Sequence, residues 1–251
     1  MILTIDIGNT RVKWVLYQDA LAQADGVFCY TQDTFSVDVA NAKMPFKGVD
    51  VIVGNVSGES VERKLTEILA TSECKKFSYA QTMQKQCGVV NSYDDFTRLG
   101  VDRWLAMIAG FNHKKKNPGE SVCIIDCGTA VTLDVVDSKG CHLGGVIMPG
   151  LAMMQLMLTR ETNDIEAFNV SQGVAGMRLE NATGHAVSQG SAQLLIGGLE
   201  AMISRYSSGE ANNMLCFVTG GNGAWVAKSL AAEVLHEPLL VNQGLWCVSE
   251  K

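Results

Sequence analysis

No Cys-x-x-Cys pair occurs in the 251 residues, although eight cysteines do. They stand at 29, 74, 87, 123, 127, 141, 216 and 247, mostly in apolar runs such as Val122–Ile125 and Leu215–Val218. The four histidines are isolated at 113, 142, 185 and 236. This spacing argues against structural zinc and reads as buried thiols in a reducing compartment. Positive charge is scarce as well. Twenty Lys and Arg stand against 26 Asp and Glu, a net charge of −6, which excludes a broad nucleic-acid surface. The only basic run, Lys114-Lys115-Lys116, precedes Asn117-Pro118-Gly119 and reads as a solvated loop. No long hydrophobic run exists either. The most apolar window, Gly144–Leu158, is broken by Pro149, Gly150 and Gln155 and is shorter than the roughly 20 residues of a spanning helix. Asp6 precedes the first basic residue, Arg11, so a signal peptide with a basic start is not expected. Neither G-x-x-x-x-G-K-[ST] nor G-x-G-x-x-G is present, which removes the main support for P-loop and Rossmann readings.

What is present is core-forming residue and repetition. Hydrophobic residues make up 47% and charged residues 18%, enough for one large domain or two small ones. Ile2–Ile5 reads as a strand that ends at Asp6-Ile7-Gly8-Asn9-Thr10, and Val12–Tyr17 reads as its hairpin partner. Val122–Ile125, then Asp126-Cys127-Gly128-Thr129-Ala130, then Val131–Val136 repeats the arrangement 120 residues later. Val51–Ser57 and Leu215–Gly223 are each a strand running into a small-residue loop, late in its own half. Apolar spacing near three to four predicts helices at Glu59–Thr71, Val101–Phe111, Ala186–Ser207 and Ala224–Ala232. Together these imply two similar α/β domains, 1–117 and 118–251, with the boundary in the Lys114–Gly119 loop.

A phosphate chain needs backbone N–H donors at close approach, hence glycine and small hydroxyl residues in a turn. Its divalent cation favours oxygen ligands such as aspartate. Asp6-x-Gly8-Asn9-Thr10 and Asp126-x-Gly128-Thr129 each offer both, and Thr219-Gly220-Gly221-Asn222-Gly223 could bring a third loop to a nucleoside.

With these motifs the chain resembles the actin, sugar-kinase and heat-shock-70 ATPase superfamily, and within it the type III pantothenate kinases, over essentially its whole length. The matching residues are Asp6, Gly8, Asn9, Thr10 and Lys13; Asp126, Gly128 and Thr129; Tyr93 with Leu99-Gly100-Val101-Asp102-Arg103; Gly144–Gly150; Thr183 with Ala186 and Gly190; and Thr219–Gly223. One departure is Phe96, where the pattern leads one to expect proline.

The resemblance implies two actin-like (ribonuclease H-like) domains with a nucleotide cleft between them, and ATP-dependent phosphorylation of pantothenate to 4′-phosphopantothenate. It implies Asp102 as general base and a substrate site of Tyr93, Gly100, Val101, Asp102, Arg103 and Thr183. ATP would meet Asp6, Ile7, Gly8, Asn9, Thr10, Arg11, Val12, Lys13 and Thr129. Magnesium would lie near Asp6, and a monovalent cation, potassium or ammonium, at Asp126. A cytoplasmic homodimer is also implied, with Ile147–Leu158 and Trp104–Phe111 as candidate contact surfaces and no nucleic-acid or membrane partner. Competing readings are another small-molecule kinase of the superfamily and a non-catalytic transcription accessory factor.

Overall fold

The computed structural model describes residues 1–113, 115–162, 176, 178–207 and 213–250. The chain divides into two compact units, residues 1–113 with 239–251, and residues 114–238. In chain order the first unit holds β1 (Ile2–Ile7), β2 (Arg11–Gln18), β3 (Leu21–Cys29), α1 (Phe35–Asn41), β4 (Asp50–Asn55), α2 (Glu59–Thr71), β5 (Lys76–Tyr79), a small hairpin β6–β7 (Lys85–Gln86, Val89–Val90) and α3 (Val101–Phe111). The second holds β8 (Ser121–Cys127), β9 (Ala130–Val136), β10 (His142–Pro149), α4 (Leu151–Glu161), α5 (Thr183–Ser207), β11 (Met214–Thr219), α6 (Gly223–Ser229) and β12 (Leu235–His236). A last helix, α7 (Leu240–Ser249), belongs to the first unit.

The repetition read in the sequence is a repetition of topology. The first sheet runs β3-β2-β1-β4-β5 and the second β10-β9-β8-β11-β12, so hairpin partners and parallel partners occupy equivalent places. Each central strand, β1 or β8, pairs antiparallel with the strand after its turn and parallel with the later one, β4 or β11. Such centrally placed strands read as near-continuous β-branched and aliphatic runs because both faces are covered.

In the first unit Leu3, Ile5 and Ile7 pack with Val61, Leu65 and Leu69 of α2 and with Phe35 and Val39 of α1. Alternation along the strand puts Thr4 and Asp6 on the opposite face. There α7 sits, with Asn242 Nδ2 donating to the Thr4 carbonyl (3.3 Å), Thr4 Oγ1 (3.1 Å) and the Lys13 carbonyl (3.3 Å). In the second unit Cys123, Ile125, Cys127, Leu133, Val135, Cys216 and Val218 pack with Leu195, Ile196 and Leu199 of α5.

Two expectations need correction. Residues 239–251 do not belong with the second unit, because α7 docks on β1 and α3. The apolar positions of α3 are not a surface: Trp104 to Gly110 are all buried within the chain. Helices α2 and α3 have their expected limits, while α5 begins three residues earlier than predicted and α6 runs over Gly223–Ser229. Lys114 of the basic run lies outside the described residues. Among the eight cysteines, Cys87, Cys123, Cys127 and Cys216 are buried, but Cys29 and Cys141 are exposed.

Candidate functional site

Asp6 lies one residue from the end of β1, with Lys13 opposite on β2 and Gly54 beside it on β4. Opposite charges facing across an antiparallel pair are mutually favourable. The turn after it is closed by the Gly8 N–H donating to the Arg11 carbonyl at 3.0 Å, which leaves Asn9 and Thr10 exposed at its tip. Tyr30, at the end of β3, supports the turn from below. Its hydroxyl donates to the Gly8 carbonyl (2.6 Å) and lies 2.5 Å from Ser57 Oγ. Burial pushes the Tyr30 phenol up, the Ser57 hydrogen bond opposes this, and the Asp6 charge adds to the rise. Asn55 holds the loop after β4 through the Ser57 N–H (2.9 Å). Tyr30 and Ser57 were not singled out from the sequence, since an isolated tyrosine and serine carry no spacing signal.

Gly54 has a second use. A Cβ there would lie 3.2 Å from Leu105 Cδ1, so glycine lets α3 approach β4 at the residue paired with Asp6. Helix α3 opens at Gly100 with Asp102 in its first turn, where the helix dipole favours a carboxylate. Asp102 Oδ1 accepts the Arg103 N–H at 2.8 Å. A Cβ on Gly100 would stand 2.7 Å from that same oxygen, so glycine there is the room in which the carboxylate sits. Arg103 is buried, donates from Nη1 to the Tyr93 hydroxyl at 3.0 Å, and holds its guanidinium carbon 5.9 Å from the Tyr93 ring centre. Thr82 Oγ1 donates to the Leu99 carbonyl (2.8 Å) and fixes the approach to the helix. Phe96, the departure from pattern, opens a 3-10 turn, Phe96–Arg98, capped by Asp95, whose carboxyl accepts from Thr97 N (3.1 Å) and Oγ1 (2.5 Å). Those bonds hold the exposed Asp95 carboxyl below its ordinary value. The first unit thus carries both the Asp6–Lys13 hairpin and the cluster in which Arg103 meets Asp102 and Tyr93.

The second unit builds its turn by close backbone packing. Asp126 pairs with Thr132 on β9 and Thr219 on β11. Gly220 has φ +90°, and a Cβ there would run into Asp126 Oδ1 and the Cys127 backbone. The Asn222 N–H donates to the Cys127 carbonyl at 3.0 Å, so the late glycine loop is tied to the Asp126 turn. Gly150 is tied to it likewise: its N–H donates to the Thr129 carbonyl (3.1 Å), and a Cβ would collide with the Thr129 and Gly128 carbonyls. Burial pushes the Cys127 thiol up and the Asp126 charge pushes it further. Among the described residues, the Thr219 hydroxyl, 1% exposed, has no hydrogen-bond partner. Thr129 is exposed beside Gly128, and Thr183 is exposed at the start of α5. No group of three His, Cys, Asp or Glu among the described residues could hold a metal ion by itself.

Comparison with known proteins gives these arrangements a setting. A sequence model of type III pantothenate kinases matches residues 2–205. A type III pantothenate kinase from Nitrosococcus oceani is 34% identical over 256 residues, covering 98% of this chain and 92% of its own. Among solved structures, a conserved candidate Baf family transcriptional activator from Campylobacter jejuni aligns with TM-score 0.59 at 20% identity, over 99% of this chain and 97% of that one. A candidate 2-dehydro-3-deoxygalactonokinase from Sinorhizobium meliloti aligns with TM-score 0.57 at 12% identity, over 100% and 98%. At such identities the likeness concerns the fold alone, two five-stranded sheets with helices.

Proposed function

The chain belongs to the type III pantothenate kinase family, and we propose on that footing that it phosphorylates pantothenate with ATP, giving 4′-phosphopantothenate in the first step of coenzyme A synthesis. The observation that carries the site assignment is the cluster at the start of α3, where Asp102, Arg103 and Tyr93 meet in the same unit as the Asp6 turn. Phosphorylating an alcohol needs in-line positioning, charge neutralisation and a base beside the attacking hydroxyl. Asp102 is that base. It takes the hydroxyl proton as the oxygen bonds to the γ-phosphorus and the bond to the ADP oxygen breaks. Arg103 offers a planar fork for the pantothenate carboxylate, and Tyr93 adds a hydroxyl group beside it; Thr183 is assigned to the substrate from the family motif alone.

The exposed tip of the first turn suits the phosphates of ATP, through Ile7 to Val12 and the cation of Lys13; Thr129 is assigned to ATP from the family motif alone. Magnesium, held near Asp6, neutralises phosphate charge when bound. The two aspartates differ in their strand partners. Asp6 faces a lysine, whereas Asp126 is flanked by the hydroxyl residues Thr132 and Thr219, one with an orphaned buried oxygen. An oxygen-rich set around one carboxylate fits a monovalent cation such as potassium or ammonium at Asp126. The chain works in the cytoplasm as a homodimer, and the exposed apolar residues Ile147, Met153, Leu156, Met157 and Leu158 supply its contact surface.

The test is ATP consumption by the purified protein with pantothenate against a panel of sugars. Turnover with pantothenate alone is the expected result, and turnover of a sugar instead would transfer the chain to another kinase class. Asp102→Asn should remain folded and lose on the order of 10²–10⁴-fold in turnover, since an amide cannot accept the proton. A folded Asp102→Asn protein with near-normal kcat removes Asp102 from this role.

A further inference from the structure

We infer that Asn91 is a positioning residue for the proposed pantothenate site, its buried amide setting the loop that brings Tyr93 against Arg103. The inference rests on the pantothenate kinase reading above. Asn91 is 2% exposed, and a buried amide is costly unless its polar atoms are bonded. Its Oδ1 accepts the Tyr93 N–H at 3.0 Å, and its Nδ2 donates to the Phe96 carbonyl at 3.2 Å. One side chain thus ties residues 91–96 near both ends. The Phe96 carbonyl also accepts the Leu99 N–H at 3.3 Å, one residue before the glycine that opens α3.

The main chain of Asn91 is anchored in turn. Its N–H donates to the Gln84 carbonyl (2.9 Å), and its carbonyl accepts from Gln84 Nε2 (2.9 Å). The loop therefore hangs from the segment before β6, while its other end feeds the helix that carries Asp102 and Arg103. Among the described residues, no hydrogen bond from Asn91 reaches Asp102 or Arg103 directly. Its influence passes through Tyr93, whose hydroxyl accepts from Arg103 at 3.0 Å. A guanidinium buried to this extent keeps one orientation only while its acceptors stay in place.

The experiment is a cycle of Asn91→Ala, Tyr93→Phe and the double variant in the full-length protein, measuring kcat and KM for each substrate. Asn91→Ala should raise the pantothenate KM on the order of tenfold, the effect of one misplaced hydrogen bond. The ATP KM and kcat should stay within about twofold. Tyr93→Phe should raise the same KM, and the double variant should add no more than about twofold to it. A purely structural Asn91 would instead multiply with Tyr93→Phe or lower kcat and both affinities together, and either result overturns the proposal. Should Asn91→Ala fail to fold by circular dichroism, Gln84→Ala decides, because it removes only the outer anchor. A smaller rise confined to the pantothenate KM supports the role, and an unchanged value overturns it. Failure of the underlying reading looks different, since the wild-type protein would then not turn over pantothenate at all.

Discussion

Asp6 and Asp126 occupy equivalent positions in two sheets of the same strand order, yet their neighbours give them different chemistry. Lys13 is the cross-strand partner of the first, and Thr132 and Thr219 are those of the second. Thr219 is the residue that tests the difference. Its buried Oγ1 has no hydrogen-bond partner among the described residues, and an orphaned buried hydroxyl ordinarily costs about 1–3 kcal/mol. Thr219→Val, nearly isosteric, should therefore be neutral or stabilising in potassium-free buffer. In the wild-type protein added potassium should raise the Tm, by the linkage that stabilises any ligand-binding native state, and in Thr219→Val that rise should shrink. Thermal melts with and without potassium read both effects. An equal potassium response in the two proteins would place Thr219 outside the proposed cation site.

Among the elements, α7 carries the least legible role. Its spacing is apolar and ordinary, but it packs against both the β1–β2 hairpin and α3. Asn242 reaches Thr4 and Lys13 on the hairpin, Leu245 lies on Gly54, and Gly244 lies against the backbone of Leu105 in α3. A Cβ at Gly244 would overlap the Leu105 carbonyl, which is main chain and cannot rotate away. Gly244→Ala should destabilise by about 1–3 kcal/mol, the cost of overpacking, and should lower turnover because α3 bears Asp102. Gly197, exposed in α5 with nothing near its missing Cβ, is the control. Gly197→Ala should be neutral or gain up to about 1 kcal/mol from helix propensity. Urea melts of the pair check the contrast, and equal midpoints would show that α7 tolerates displacement from α3.

For the whole molecule, the candidate surface for the proposed dimer lies in α4 and β10. Leu156 is 55% and Ile147 66% exposed, with Met153, Met157 and Leu158 also exposed on the same short stretch of chain. If the proposed dimer completes the substrate site, pantothenate affinity should fall on dilution below the dimer dissociation constant. Sedimentation paired with kinetics tests this, and a fully active monomer would rule out a shared site while leaving the kinase assignment intact. The sequence by itself determined the repeated strand–turn–strand units, the two Asp-Gly turns, the limits of α2 and α3 and the Tyr93 to Arg103 motif. Those are set by local alternation, by glycine and by short spacings, which a linear reading sees. Only the tertiary structure decided that α7 returns to the first unit, that α3 is core rather than surface, that Tyr30 and Ser57 brace the first turn, and that Asn91 ties the loop of Tyr93. Those contacts join residues up to 238 positions apart, as between Thr4 and Asn242. An apolar helix has the same period whether it faces its own core or another molecule, so its side of burial is fixed only when the chain closes on itself.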